Sequence, residues 1–181
     1  GSDDGYVHLT QDGGVNWTKI SDSFPKDLWV SRVVASQHDQ NRIYVTLNGY
    51  RWDDFKTYIY RTIDLGATWT EISGNIPASP VNVIIEDPVR EDMLYVGTDY
   101  GLYLSLDSGA SWHALAGGMP HVAVHDLKIQ KTANHLLVGT HGRSIYRAEI
   151  GALQALTNEV LNQNVHVFAL DKMRKSPSCG R

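Results

Sequence analysis

Apolar and polar residues alternate along most of this chain in short runs separated by turn-forming residues, the two-residue period of half-buried β-strands. Leu102, Leu104 and Leu106 mark one run, Asp107-Ser108-Gly109 turns the chain, and a second run leaves through Trp112 and Leu115. Asp and Ser bond their own backbone in turns, and Gly supplies positive φ. The carboxylate is therefore expected to accept N–H groups across the corner, and the Trp to bury its ring beside it. The corner recurs at Thr10-Gln11-Asp12-Gly13-Gly14-Val15-Asn16-Trp17 and at Thr62-Ile63-Asp64-Leu65-Gly66-Ala67-Thr68-Trp69. Three copies of Ser/Thr-x-Asp-x-Gly-x-x-Trp define a repeat protein.

The motif resembles the Asp-box, or BNR repeat, of sialidase-like, xyloglucanase-like and sortilin-like β-propellers, with Asn16 replacing the usual Ser/Thr before Trp. Leu94-Tyr95-Val96-Gly97-Thr98, Val124-His125-Asp126-Leu127 and the run from Leu136 to Tyr146 resemble large bacterial sortilin-like propellers, often labelled glycosyl hydrolases. The resemblance spans about residues 1–170. It implies an all-β fold, a partial β-propeller of four-stranded antiparallel blades, in a secreted or periplasmic protein.

Asp12, Asp64 and Asp107 stand 52 residues apart (12 to 64) and then 43 (64 to 107), periods that suit propeller blades. Residues 1–20 supply the last two strands of a blade, near 6–10 and 17–20. A complete blade follows near 30–35, 42–47, 57–62 and 68–72, and another near 81–85, 93–97, 101–106 and 111–115. The last blade has three strands, near 124–129, 135–139 and 143–148, without an Asp box or outer strand. Residues 1–150 thus form the blades. Residues 151–164 change period and predict one amphipathic helix, or two with Thr157 as an internal N-cap. An extended segment follows at 165–170, and 171–181 read as a tail or linker. Two, four, four and three strands fall short of a ring, which would hide strand edges. The chain is expected to be the C-terminal part of a larger propeller, its open edges met by the remainder of that propeller or by a second copy.

Composition changes this picture little. Hydrophobic content of 42% and charge of 20% are globular values. A net charge of −4 gives no reason to expect nucleic acid as a partner, and no apolar run approaches a membrane span. The lone Cys179 permits no intrachain disulfide. Gly1-Ser2-Asp3-Asp4-Gly5 matches Gly97-Thr98-Asp99-Tyr100-Gly101, so the chain is expected to begin inside a repeat.

The resemblance places the Asp boxes on the face away from any site, and Asp12, Trp17, Asp64, Trp69, Asp107 and Trp112 are read as structural. The opposite face collects Asp3, Asp4, the 48–57 loop, Asp99 and His141-Gly142-Arg143. Beside them stand Ser31, Arg32, Asn82, His125 and Asp126 at the inner-strand entrances, and Phe24, Trp29, Asn75 and His121 from the loops between blades. Asn48-Gly49-Tyr50-Arg51-Trp52-Asp53-Asp54-Phe55-Lys56 mixes aromatics with carboxylates. Rings stack on apolar sugar faces while acids and amides bond hydroxyls; the plainer alternative is a variable covering loop. His125 and Asp126 have the chemistry for acid–base work, but neighbours on a strand point to opposite faces. Pairing of Asp126 with Arg143 across blades is the favoured reading. The eight histidines show no metal-ligand spacing, and neither metal nor cofactor is expected.

Three functions remain open. A binding module would hold a glycan or peptide through Trp29, Arg32, Tyr50, Arg51, Trp52, Asn82, His125, His141 and Arg143. A glycoside hydrolase, xyloglucanase-like or sialidase-like, would need a carboxylate pair drawn from Asp53, Asp54, Asp99 and Asp126; the sialidase-like version is the weaker because Arg32, Arg51 and Arg143 are scattered. The third function is a scaffold arc supporting another domain. The binding module is preferred.

Overall fold

A computed structural model describes residues 1–115 and 117–168. It holds thirteen strands in four antiparallel sheets. Blade 1 contains β1 (His8–Leu9) and β2 (Thr18–Lys19). Blade 2 contains β3 (Trp29–Ala35), β4 (Ile43–Gly49), β5 (Asp54–Thr62) and β6 (Thr70–Glu71). Blade 3 contains β7 (Val81–Glu86), β8 (Leu94–Thr98), β9 (Gly101–Ser105) and β10 (His113–Ala114). Blade 4 has β11 (Val124–Gln130), β12 (His135–Thr140) and β13 (Ile145–Glu149). The strands fall as two, four, four and three in chain order.

Alternation along each second strand builds the interior. Ile43, Val45 and Leu47 of β4 join a core with blade 1, whereas Tyr44 between them joins the core shared with blade 3. Leu94 and Val96 of β8 likewise face blade 2, and Tyr95 faces blade 4. A strand buried on both faces is largely apolar, and β4 and β8 are buried at every position, with Thr46, Asn48 and Thr98 the polar residues within them.

A buried carboxylate ties blade 2 to blade 3. Glu86 accepts from the Ser36 hydroxyl at 2.9 Å, the Gln37 N–H at 2.8 Å and the Tyr44 hydroxyl at 3.1 Å, with Arg42 at 3.6 Å. Burial, and then Glu86, push the Tyr44 phenol up to about 12. Sequence reading had passed over this group.

The Asp boxes share one hydrogen-bond pattern. The Asp12, Asp64 and Asp107 carboxylates each accept the N–H four residues on, from Asn16, Thr68 and Ser111, at 2.9 Å. Asn16 replaces the missing hydroxyl with its amide, which reaches Asp12 Oδ2 at 2.6 Å as the Thr68 hydroxyl reaches Asp64 Oδ2. At Gly66 and Gly109 φ is +90°, and a Cβ would lie 2.6 Å from Ile20 and 2.8 Å from Ile72. Glycine is therefore needed there for conformation and for close approach to the preceding blade.

Several expectations are corrected. Burial of the box tryptophan holds for Trp112 at 3% exposure and fails for Trp17 at 61%, because among the described residues no blade precedes blade 1 to cover its ring. The outer strands are two residues long. The 48–57 loop is instead the end of the β4–β5 hairpin, closed by a 3₁₀ turn at Tyr50–Trp52 with Asp53 left-handed at φ 56°. After β13, α1 (Gly151–Gln154) and α2 (Asn158–Leu161) form the two-helix alternative, with the Val160 N–H bonding the Thr157 hydroxyl at 3.3 Å. Residues 165–168 belong to no strand. The rest of the extended segment, 169–170, and the 171–181 tail lie outside the described residues.

Candidate functional site

The first strand of each of blades 2, 3 and 4 carries the same irregularity. Register slips between Val30 and Arg32, between Val81 and Val83, and between Val124 and Asp126. The skipped residues are Ser31, Asn82 and His125. A bulge bends its strand and re-aims one side chain, often beside a site. On the second strand, Leu47, Thr98 and Thr140 pair with the residue before each bulge and are followed by Asn48 inside β4 and by Asp99 and His141 just past β8 and β12. Two structurally equivalent sets of side chains therefore gather at one end of the blades.

Ser31 turns away to the Thr46 hydroxyl at 2.8 Å, and the other five meet in a cleft of about 350 Å³ lined by Trp29, Asn48, Tyr50, Asn82, Asp99, Ala123, His125 and His141. The Asn48 amide donates to Asn82 Oδ1 at 2.9 Å, and the Asn82 amide donates to Asp99 Oδ1 at 2.9 Å and to the Val124 carbonyl at 3.2 Å. One chain of bonds thus crosses blades 2, 3 and 4. The His125 and His141 rings lie 5.1 Å apart at the far side. At the near side the Arg51 guanidinium covers the Trp29 ring at 4.7 Å, a cation–π contact. Tyr50, Trp52 and Phe55 leave an exposed aromatic lip on the hairpin tip, where Tyr50 and Phe55 meet edge to face at 5.9 Å.

The structure brings six sequence-predicted residues into the cleft: Trp29, Tyr50, Asn82, Asp99, His125 and His141. Arg51 and Trp52 border it on the hairpin tip. The other carboxylate candidates lie elsewhere. Asp53 is exposed at the tip, and Asp54 accepts the Tyr58 hydroxyl at 2.7 Å, a bond that with burial holds that phenol up at about 12. Asp126 binds Arg32 at 2.6 Å. The expected Asp126–Arg143 pair is thus replaced by Asp126–Arg32, since the bulge aims both strand residues at each other over β7, and Arg143 stays exposed. Among the described residues, Asp99 is the only carboxylate lining the cleft.

Two loop residues expected near the site are structural. Phe24 is buried and stacks on Tyr60 at 4.6 Å. The Asn75 side chain clasps the Trp112 backbone, accepting its N–H at 2.7 Å and donating to its carbonyl at 2.9 Å. Sequence reading placed Asn48 only as the first residue of the 48–57 loop, although its place after Leu47 matches that of Asp99 after Thr98 and of His141 after Thr140. Among the described residues, no three His, Cys, Asp or Glu side chains are grouped to hold a metal ion, and no helix is long and apolar enough to cross a membrane.

Residues 5–172 match the Sortilin-Vps10 family, described as sortilin, neurotensin receptor 3. No curated protein matches the chain. Among solved structures, the GH74 xyloglucanase from Xanthomonas campestris is 16% identical with a TM-score of 0.61, covering 80% of this chain and 25% of the xyloglucanase. The GH74 enzyme of Niastella koreensis gives 17% identity and a TM-score of 0.62, covering 82% of this chain and 26% of the enzyme. YCF48 from Cyanidioschyzon merolae gives 12% and 0.60, covering 81% of this chain and 45% of YCF48. These likenesses are of fold, and the chain spans less than half the length of each of these three proteins.

Proposed function

Starting from a chain that belongs to the Sortilin-Vps10 family, we propose that this propeller arc is a binding module of an exported protein, whose cleft holds a neutral glycan. One observation carries the reading: side chains of three blades converge on a cleft whose lining, among the described residues, joins rings, amides and a single carboxylate. Rings of Trp29 and Tyr50 offer flat apolar faces, and Asn48, Asn82 and Asp99 are already aligned in a bonded row able to take up hydroxyls. A peptide segment is the competing ligand.

The test is calorimetric titration of the chain with neutral oligosaccharides, xyloglucan fragments among them because two fold neighbours are GH74 proteins, in parallel with unrelated peptides. Binding to a saccharide should weaken roughly tenfold or more in Trp29→Ala, which removes the stacking ring. Saturable binding to peptides alone, or saccharide binding indifferent to Trp29→Ala, would discard the glycan reading.

The GH74 likeness favours a second reading, a share in a hydrolytic site. Glycoside hydrolysis uses two carboxylates about 5–10 Å apart, and Asp99 alone lines this cleft. The second carboxylate would have to come from outside it. Release of reducing ends from xyloglucan by this chain, abolished in Asp99→Asn, would replace binding by catalysis as its function.

A further inference from the structure

The hydrogen bonds between the amides of the cleft run in one direction. The Asn48 amide nitrogen donates to the Val81 carbonyl at 3.3 Å and to Asn82 Oδ1 at 2.9 Å. Asn48 Oδ1 accepts the Tyr50 N–H at 3.0 Å. The Asn82 amide nitrogen in turn donates to Asp99 Oδ1 at 2.9 Å and to the Val124 carbonyl at 3.2 Å.

The groups at its ends fix this direction. A carbonyl or a carboxylate oxygen only accepts, and a backbone N–H only donates. Turning the Asn82 amide over would set its oxygen against Asp99 Oδ1 and the Val124 carbonyl. Turning Asn48 over would set its NH₂ against the Tyr50 N–H. Either flip replaces bonds by repulsion, and Asn48, at 2% exposure, has no water to make up the loss.

Each amide carries two protons, and all four are spent inside the protein. That holds whatever further residues border the cleft, because the protons are already engaged. The row therefore shows acceptors to a ligand, above all Asp99 Oδ2, which meets no protein donor among the described residues. The His125 and His141 rings at the far side each hold one N–H and one lone pair when neutral. They serve either kind of partner and leave the requirement at Asp99 unchanged.

We infer that Asp99 sets the specificity of the cleft by demanding a ligand group that donates, and that Asn82 positions it by holding Oδ1. This deepens the glycan reading above and rests on it. The ligand is then a saccharide whose hydroxyls are free where it meets Asp99. The same sugar carrying O-methyl or O-acetyl groups there would press an oxygen without a proton against Oδ2. A site built to bond a hydroxyl rejects the analogue lacking it far more strongly than an apolar pocket rejects a change of size.

The experiment has two arms, each run on the unchanged chain and on Asp99→Asn. Calorimetry compares a neutral oligosaccharide with its fully O-methylated form, which keeps the rings and loses the donors. The unchanged chain should bind the O-methylated form about 10- to 100-fold more weakly. In Asp99→Asn the new amide turns its oxygen to the Asn82 N–H and offers its own N–H groups to the cleft, so this ratio should fall about tenfold. Equal binding of both forms by the unchanged chain would overturn the inference and leave the glycan reading standing. A variant that weakens both ligands alike, with the ratio kept, would overturn it too.

The second arm needs no sugar. Nuclear magnetic resonance follows the Asn82 side-chain amide against methylammonium, which only donates, and dimethyl sulfoxide, which only accepts. Methylammonium should shift the signals saturably in the unchanged chain and not in Asp99→Asn, and dimethyl sulfoxide should leave them in place. If no saccharide binds while this contrast holds, the glycan reading falls and the demand for a donor stands, met by an amine. Signals moved by dimethyl sulfoxide, or indifferent to methylammonium, would overturn the inference.

Discussion

The Trp112 indole N–H donates to the Ile72 carbonyl of the preceding blade at 2.8 Å, and Trp69 repeats the bond on Ile20 at 2.7 Å. Each box tryptophan therefore fastens its blade to the one before it. Trp17, lacking such a neighbour among the described residues, turns its N–H back to the Gly14 carbonyl at 3.1 Å.

This difference predicts unequal costs for one substitution. Trp112→Phe removes the bond and part of a buried ring, and should destabilise the chain by about 2–3 kcal/mol in urea unfolding. Trp17→Phe, at an exposed position, should stay within about 0.5 kcal/mol. Equal effects would show that the stapling bond contributes nothing.

The Asp boxes should make stability fall in acid. The Thr62 and Thr68 hydroxyls hold the Asp64 carboxyl at about 2, below its ordinary 3.8. The Asn16 N–H and amide hold Asp12 equally low. At Asp107 burial acts upward, but bonds from Ser111 and Ser105 outweigh it. A depressed folded-state value gives stability that is complete above the unfolded value and vanishes as pH drops through the folded one. Thermal melting should lose this contribution between about pH 4 and about pH 2. Asp64→Asn should flatten the curve across that window; an unchanged slope would assign the acid sensitivity elsewhere.

Glu86 should be among the costliest single positions. Glu86→Ala leaves Ser36, Tyr44 and Arg42 without their buried partner, and should cost about 3–5 kcal/mol by denaturant titration. Tyr44→Phe, which deletes one of these bonds, should cost about 1 kcal/mol. A mild effect of Glu86→Ala would mean that water replaces the carboxylate easily.

Arg32 and Asp126 present the opposite case, for both side chains remain open to solvent. A double-mutant cycle on the pair should return a coupling of at most about 1 kcal/mol, shrinking with added salt. The same cycle on Asp126 and Arg143 should return none. Coupling confined to the second pair would restore the pairing read from sequence.

How much was legible follows from the range of each interaction. The Asp-box corner is closed by bonds spanning two to four residues, so Asp107 and Ser111 announce it without any tertiary information. Strand patterning was legible because neighbouring side chains on a strand point to opposite faces, a relation set within the strand itself. The Thr157 cap was legible for the same reason. Asn48 was equally local in principle; aligning the strand ends of the repeats would have put it beside Asp99 and His141.

The sequence by itself thus determined the repeat, the order of strands and the corners, all of them set by backbone geometry and side chains a few residues apart. Tertiary structure alone decided that Arg32 reaches Asp126, that Phe24 and Asn75 serve packing and that Trp17 is bare. It also chose which loop residues share a cleft. Those outcomes depend on how one blade lies against the next, across separations such as the 37 residues between Asn75 and Trp112 and the 94 between Arg32 and Asp126. No local pattern encodes that distance, because many partners satisfy the same chemistry and only the packed blades select among them.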